Sequence, residues 1–211
     1  MNKVIKESYL FIILFLIVLL KEPIYNLIKI EKINNMECNL IENDYNKLLE
    51  FSKIDLIYDI EYINTYVIYK DIYNYINEIT IRGGKDLKLD SNPVIYNNTL
   101  IGIVERVNKN SSIVKLITNK NSKISVKINE EIGLLEYKNN KLVVSNISNY
   151  GNITMGDKIY TSGLGNIKEN IYIGKVLDIR LDNKNIEKII TVDYQINIKD
   201  IDYITILKEN I

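Results

Sequence analysis

The sequence predicts a mainly β fold, with an N-terminal transmembrane helix, a helical coiled-coil stalk and then a domain of many short strands. Three observations support this prediction: an early apolar run, a following stretch without glycine whose apolar residues are spaced by three and four, and alternating segments punctuated by glycine and asparagine after Asn64. The predicted parts are a cytoplasmic tail at 1–8, an anchor at 9–22, a stalk at 23–64 and an extracytoplasmic β domain at 65–207. The β domain is divided into two units near 129–150.

The anchor is predicted from the apolar run Tyr9–Leu20, which follows Lys3 and Lys6. As a helix the run spans about 18 Å, less than the roughly 30 Å hydrocarbon core, and this length alone favours a cleaved signal peptide. However, residues 9–37 contain no Ala, Gly, Ser, Thr or Cys for signal peptidase to cleave beside, which favours a retained anchor. The lysines favour a cytoplasmic N-terminus and a single-pass cell-membrane protein. A buried core helix of a soluble protein is the alternative.

The stalk is predicted from its heptad pattern, which is interrupted by Asn43, Lys47 and Glu50 at core positions. Two interpretations stay open: a parallel coiled coil that forms a homodimer, or a single amphipathic helix that lies on the following domain. Cys38 falls on the outer side of the heptad, so no cross-link between the subunits is expected. The predicted dimerisation seam consists of Ile33, Met36, Leu40, Ile54 and Ile57.

Alternating apolar and polar residues predict the strands of the β domain. Ile124, Val126 and Ile128 are expected on a buried face, and so are Leu177, Ile179 and Leu181. Many short strands at close spacing are typical of barrels or a sandwich. The other predicted strands are 66–69, 79–82, 94–96, 100–107, 113–118, 142–145, 158–161, 171–176, 189–195 and 203–207.

A weak internal repeat accompanies these strands. Val94-Ile-Tyr leads to Ile101-Gly-Ile-Val, and Lys158-Ile-Tyr leads to Ile173-Gly-Lys-Val. Two related β units would produce this similarity, and so would chance in a chain rich in isoleucine. A glycine within a strand indicates a bend or a close backbone approach at a barrel corner, which we expect at Gly102 and Gly174.

Composition excludes several kinds of chemistry. With no histidine and one cysteine, the chain has no Ser-His-Asp or Cys-His nucleophile, no histidine-containing zinc site and no intramolecular disulfide. Its 27 basic and 27 acidic residues balance, which argues against a general nucleic-acid binder. We expect no metal, cofactor or catalytic residue.

A series of motifs, in order, resembles the rod shape-determining protein MreC family over residues 65–207. The motifs are Tyr66-Val-Ile-Tyr-Lys-Asp, Thr80-Ile-Arg-Gly-Gly-Lys-Asp, Pro93-Val-Ile, Leu100-Ile-Gly-Ile-Val, Ser111-Ser-Ile-Val-Lys-Leu-Ile-Thr, Asn121-Ser-Lys-Ile-Ser-Val, Gly156-Asp-Lys-Ile-Tyr-Thr-Ser-Gly-Leu-Gly and Ile173-Gly-Lys-Val. The motif and turn positions that we single out are Gly83, Gly84, Pro93, Gly102, Gly156, Asp157, Thr161, Ser162, Gly163 and Gly174.

The resemblance implies two small β-barrel units outside the membrane, with exchange of strands between them allowed. It also implies a non-catalytic, membrane-anchored scaffold of the cell-wall elongation machinery. Such a protein maintains cell shape by recruiting and activating peptidoglycan synthases. The partners implied are a class B penicillin-binding protein, MreD, RodA and the MreB cytoskeleton. Exposed tyrosines are the best candidates for contact residues, because tyrosine is enriched at protein interfaces.

Two other functions compete with the scaffold. A membrane-anchored Ser/Lys peptidase would use Ser162 with Lys158, although Thr161-Ser162-Gly163 also reads as a turn whose hydroxyls bond the backbone. An adaptor of an unrelated secretion system would share the anchor, the stalk and the barrels. Asp157 is interpreted as a turn residue, since no spacing places a second carboxylate beside it.

Overall fold

The computed structural model describes residues 61–71, 77–165 and 167–208. These residues form twelve β-strands and two 3₁₀ helices, at Lys85–Leu87 and Ile198–Asp200. The predicted tail, anchor and nearly all of the stalk lie outside the described residues. The strands are β1 Tyr62–Lys70, β2 Glu78–Arg82, β3 Pro93–Tyr96, β4 Thr99–Val107, β5 Ser111–Leu116, β6 Lys123–Ile128, β7 Glu131–Lys138, β8 Lys141–Ser148, β9 Lys158–Thr161, β10 Tyr172–Leu181, β11 Glu187–Asp193 and β12 Tyr203–Leu207.

The strands close into two six-stranded antiparallel barrels, which confirms the predicted mainly β fold. The first barrel has the order β1-β12-β3-β4-β5-β2, and the second has the order β10-β11-β8-β7-β6-β9. Closure pairs both sides of every strand and so leaves no open sheet edge in either barrel. Each barrel therefore meets its surroundings through side chains and loops.

Each half of the β domain contributes its sixth strand to the barrel of the other half. Strands β1–β6 are the first half and β7–β12 the second; β6 pairs with β7 and β9, and β12 pairs with β1 and β3. The sequence predicts the division between the barrels near 129–150. The halves of the chain meet there, between Ile128 and Glu131, but the barrels separate earlier, between Leu116 and Lys123, because β6 crosses over.

The internal repeat is a structural repeat of the strand order and the corner glycines. The two barrels have the same strand order. It appears when β9, β10, β11, β8, β7 and β6 of the second barrel are matched, in turn, to β3, β4, β5, β2, β1 and β12 of the first. A Cβ at Gly102 would lie 2.5 Å from the carbonyl oxygen of Lys115, and a Cβ at Gly174 would lie 2.5 Å from that of Asp193. This is the close backbone approach that the sequence predicts at the two glycines. Both β4 and β10 also change register shortly after the glycine.

Isoleucine, leucine and valine fill the interior of both barrels. Burial of one such side chain contributes about 1.5–3 kcal/mol, so the interior supplies most of the driving force for folding. Side chains from β12 lie in the first core and side chains from β6 in the second, which ties the halves together. The first core contains Ile79, Ile81, Leu89, Val94, Ile101, Val104, Val114, Leu116, Ile198, Ile201, Ile204 and Ile206, and the second contains Ile124, Val126, Ile128, Leu135, Leu142, Val144, Ile147, Ile159, Ile173 and Ile190.

The structure corrects three expectations about the strands. β1 begins at Tyr62, so the last residues assigned to the stalk are strand, because they pair with β12. β7 was not expected, since its sequence places two leucines side by side and does not alternate. Leu177 and Leu181, predicted on a buried face, are exposed instead: Leu177 is the extra residue at the register shift between Val176 and Asp178, and Leu181 is the last residue of β10, opposite Lys188.

Among the residues in the described ranges, no helical segment has the length and the apolar character that crossing a membrane requires.

Candidate interaction surface

The predicted turn positions lie at the ends of strands. Gly83 has a φ of 116°, and a Cβ at Gly84 would lie 2.0 Å from the carbonyl oxygen of Lys109, so this turn packs against the β4–β5 turn. Pro93 is the first residue of β3, a position where a strand tolerates proline. Gly83, Gly84 and Pro93 thus lie from the end of β2 to the start of β3 in the first barrel.

Asp157 stabilises the turn that precedes β9. Its carboxylate accepts hydrogen bonds from the Thr154 amide at 2.8 Å, the Thr154 hydroxyl at 3.1 Å and the Asn129 side-chain amide at 2.9 Å. The bond from the Thr154 amide is the main reason why the pKa of Asp157 lies below its ordinary value. Gly156, at a φ of 90°, donates its amide to the Val176 carbonyl at 2.8 Å. The pair thus joins the turn to β10.

Thr161 is fully buried at the end of β9, and its hydroxyl bonds to backbone groups of the loop that follows. Its hydroxyl donates to the Lys168 carbonyl at 2.6 Å and accepts from the Ile171 amide at 2.9 Å. These bonds close the loop that leads from β9 to β10. The role predicted for a small hydroxyl in a turn is the one that Thr161 has.

Ser162 continues the same loop on the outside of the barrel. Its hydroxyl lies 2.8 Å from the Ser125 hydroxyl and accepts a hydrogen bond from the Leu164 amide at 3.2 Å. Gly163 follows with a φ of 77°. A strand rises about 3.3 Å per residue, which puts the backbone of Lys158 roughly 13 Å from that of Ser162. The structure does not bring together the pair that the peptidase alternative requires.

An exposed aromatic and aliphatic surface lies on β1 and β12 of the first barrel. Tyr66 is directly opposite Tyr203 across the two strands, and Ile68 and Tyr69 follow along β1 with 50% and 62% of their area exposed. A register shift between Val67 and Tyr69 turns both Ile68 and Tyr69 outward. We call Tyr66, Ile68, Tyr69 and Tyr203 the β1 aromatic surface.

Arg82 on β2 holds Tyr66 in place within this surface. The guanidinium carbon lies 5.5 Å from the centre of the Tyr66 ring, and the guanidinium also donates to the Tyr66 hydroxyl. The hydrogen bond to Tyr66 is the main reason why the pKa of Arg82 is raised. The neighbouring ion pair of Lys70 with Asp202, at 3.2 Å, links β1 to the segment before β12. The surface is therefore ordered before any partner arrives.

Sequence reasoning did not select these four residues. The chain has 16 tyrosines, and tyrosine content alone does not distinguish an exposed one from a structural one. Tyr194, for instance, links the barrels by donating its hydroxyl to the Leu100 carbonyl at 3.2 Å, and burial of this hydroxyl raises its pKa. The sequence does carry one indication of this surface: Ile68 and Tyr69 are adjacent apolar residues, and they break the alternation expected of a strand with one buried face. The predicted seam residues at 33–57 lie outside the described part of the chain.

The family model for the barrel core of the rod shape-determining protein MreC matches residues 67–208, which contain most of both barrels. The chain belongs to the MreC family. The cell shape-determining protein MreC of Streptococcus pneumoniae is 30% identical over 152 residues, which cover 67% of this chain. The match covers 56% of the length of that curated relative.

Solved MreC structures share the fold. The MreC structure from Listeria monocytogenes superimposes with a TM-score of 0.68 at 22% identity, covering 86% of this chain and 93% of the other. MreC in the complex between penicillin-binding protein PBP2 and MreC from Helicobacter pylori superimposes with a TM-score of 0.58 at 20% identity, covering 71% and 99%.

Proposed function

We propose that this protein is a non-catalytic, membrane-anchored scaffold that maintains cell shape by recruiting and activating peptidoglycan synthases. The observation that carries the proposal is the match of the MreC family model across residues 67–208. The two barrels support it, because strand exchange makes them a connected platform with no open edge. A platform of this kind presents fixed side chains to partners and changes little on binding.

The β1 aromatic surface is the part of this platform that we assign to a penicillin-binding protein. The complex of the Helicobacter pylori proteins is a precedent for such a partner in this fold. Tyr66, Tyr69 and Tyr203 each offer an apolar ring with a polar end, which suits the centre of an interface. Arg82 lowers the entropy that Tyr66 would lose on binding, because it already holds the ring.

Membrane attachment and dimerisation belong to the same proposal. Residues 9–22 would anchor the chain in the cell membrane, with the N-terminus in the cytoplasm and the barrels outside. The segment that precedes β1 would form a parallel coiled-coil dimer through Ile33, Met36, Leu40, Ile54 and Ile57. Dimerisation would raise the local concentration of bound synthases. MreD, RodA and MreB are the further partners that we propose for the assembly.

The proposal is tested by depleting the protein in its own cells and measuring cell width and the sites of new wall incorporation. We expect rounded or widened cells with dispersed incorporation. Rescue is then attempted with Tyr69→Ser and, as a matched control, Tyr150→Ser in the second barrel, where 92% of the tyrosine is exposed. Binding of each variant to the class B penicillin-binding protein is measured in parallel.

The expected pattern is that Tyr150→Ser and Ser162→Ala restore shape, whereas Tyr69→Ser does so incompletely and binds the synthase at least fivefold more weakly. Loss of one exposed tyrosine from an interface centre costs about 1–2 kcal/mol, which is a factor of roughly 5 to 30. Normal shape after depletion would contradict the scaffold. Equal binding of the synthase by both tyrosine variants would show that the β1 aromatic surface does not contribute to synthase binding.

A further inference from the structure

The outer face of the second barrel carries three lysines that have no acidic partner. Lys127 lies on β6, Lys158 on β9 and Lys175 on β10, and these three strands are neighbours. Within the described residues, none of the three forms an ion pair, whereas seven other cations do. The missing partners do not follow from a shortage of acids, since the chain as a whole is neutral.

Two of these lysines are directly opposite one another across adjacent strands. Lys158 pairs with Lys175 in the register of β9 and β10. Like charges in this position destabilise a sheet, because the side chains start only about 5 Å apart. Asp193 is the other cross-strand neighbour of Lys175, and its carboxylate, which accepts a hydrogen bond from Gln195 at 3.2 Å, offsets part of the charge of that lysine without forming an ion pair with it. Two opposed lysines in this position are a candidate site for a bound anion.

A pair of tyrosines adjoins the lysines on the same face. Tyr160 is opposite Tyr172 and also opposite Lys127, and the two rings meet edge to face with centres 5.7 Å apart. The row of tyrosines is displaced from the Lys158–Lys175 row by two residues, or about 7 Å. We call Lys127, Lys158, Tyr160, Tyr172 and Lys175 the lysine–tyrosine face.

Two carboxylates near this face offset part of its charge. Asp157 is next to Lys158 in the chain, and its oxygens accept hydrogen bonds from Thr154 and Asn129, which favour the ionised form. Asp193 is opposite Lys175. On the other side of β6, the residue opposite Lys127 is Ile132, which is apolar. With three lysines against these two carboxylates, the face keeps a small positive excess.

We propose that the lysine–tyrosine face binds an anionic polysaccharide, a chain of sugar rings that carry carboxylate or phosphate groups. The Lys158–Lys175 pair would hold one anionic group, the tyrosines would pack against the C–H groups of a sugar ring, and Lys127 would meet the next anionic group. The spacing of about 7 Å between the rows suits one sugar ring between its charged substituents. An acidic peptide fits less well, because a closed barrel offers no edge for strand addition.

Binding is tested with the full-length chain in a neutral detergent and oligogalacturonate as the probe. Fully methyl-esterified oligogalacturonate controls for charge, polyglutamate is a polyanion without sugar rings, and phosphatidylglycerol vesicles test an anionic membrane surface. The double variant Lys158→Gln/Lys175→Gln removes the anion clamp, and Tyr160→Leu removes one ring. The matched control is Lys138→Gln/Lys141→Gln, which changes another directly opposed lysine pair, one in which Lys138 already has Glu136 as its partner.

The proposal expects salt-sensitive binding of oligogalacturonate that falls at least tenfold in the clamp variant, at least threefold in Tyr160→Leu and less than twofold in the control. The melting temperature of the clamp variant should be unchanged or higher, since a repulsion is removed. Failure to bind oligogalacturonate above its neutral ester would overturn the proposal. An equal loss of oligogalacturonate binding in the clamp and control variants would also overturn it. The proposal would likewise be wrong if polyglutamate or the vesicles bound at least as tightly as oligogalacturonate and Tyr160→Leu left that binding unchanged.

Discussion

Replacing Thr161 with valine should destabilise the second barrel by removing a buried hydroxyl while keeping the shape of the side chain. The Thr161 hydroxyl accepts from the Ile171 amide at 2.9 Å and donates to the Lys168 carbonyl at 2.6 Å. An unpaired buried amide costs about 1–3 kcal/mol, and loss of the second hydrogen bond adds about 0.5–1.5 kcal/mol. We therefore expect Thr161→Val to lower the free energy of unfolding by about 2–4 kcal/mol.

The assay is urea denaturation and thermal melting of the two-barrel fragment, residues 61–208. For a domain of this size about 2–4 kcal/mol corresponds to a decrease in melting temperature of roughly 5–15 °C. Thr161→Ser is the matched control: it keeps the hydroxyl and loses one methyl group, at a cost of about 1 kcal/mol. The reasoning is refuted if Thr161→Val is no more destabilising than Thr161→Ser.

Three further predictions concern other contacts of the barrels. Gly102→Ala and Gly174→Ala should each destabilise the fragment in urea titrations, because a Cβ at either position would lie 2.5 Å from a backbone carbonyl oxygen. Tyr194→Phe should cost about 1 kcal/mol by the same measurement, through loss of the hydroxyl that donates to Leu100. Asp157, whose pKa is lowered by folding, contributes stability that is full above about pH 4 and is lost as the pH falls through its folded pKa. The difference in urea midpoint between Asp157→Asn and the unmodified fragment should accordingly be larger at pH 7 than at pH 2.5.

Local pattern was sufficient for most of the strands and for the corner glycines. The alternation at 124–128 predicts the buried face of β6 correctly, since no register shift interrupts that strand. The same reasoning is wrong for Leu177, which is the extra residue at the register shift after Val176, and for Leu181, which is exposed at the end of β10. A register shift depends on the partner strand, and a single strand's sequence does not show it.

The two candidate surfaces could not be predicted from the sequence for a related reason, which is that strand pairing brings their residues together. Tyr66 and Tyr203 are 137 positions apart in the chain and lie side by side only because β12 pairs with β1. Lys158 and Lys175 likewise become neighbours through the pairing of β9 with β10. Tyrosine and lysine content indicates that such surfaces can exist, but strand pairing decides which residues form them.

By itself the sequence determined the β content, the MreC family resemblance through its ordered motifs and the positions where only glycine leaves room for a neighbouring backbone. These properties depend on short-range pattern and steric size, which adjacent residues express directly. The tertiary structure alone decided that β6 and β12 each join the barrel of the other half, that Tyr194 joins the barrels and that Lys158 lies opposite Lys175. Each of these depends on contacts between distant segments, whose pairing follows from the closure of both barrels and not from any one segment.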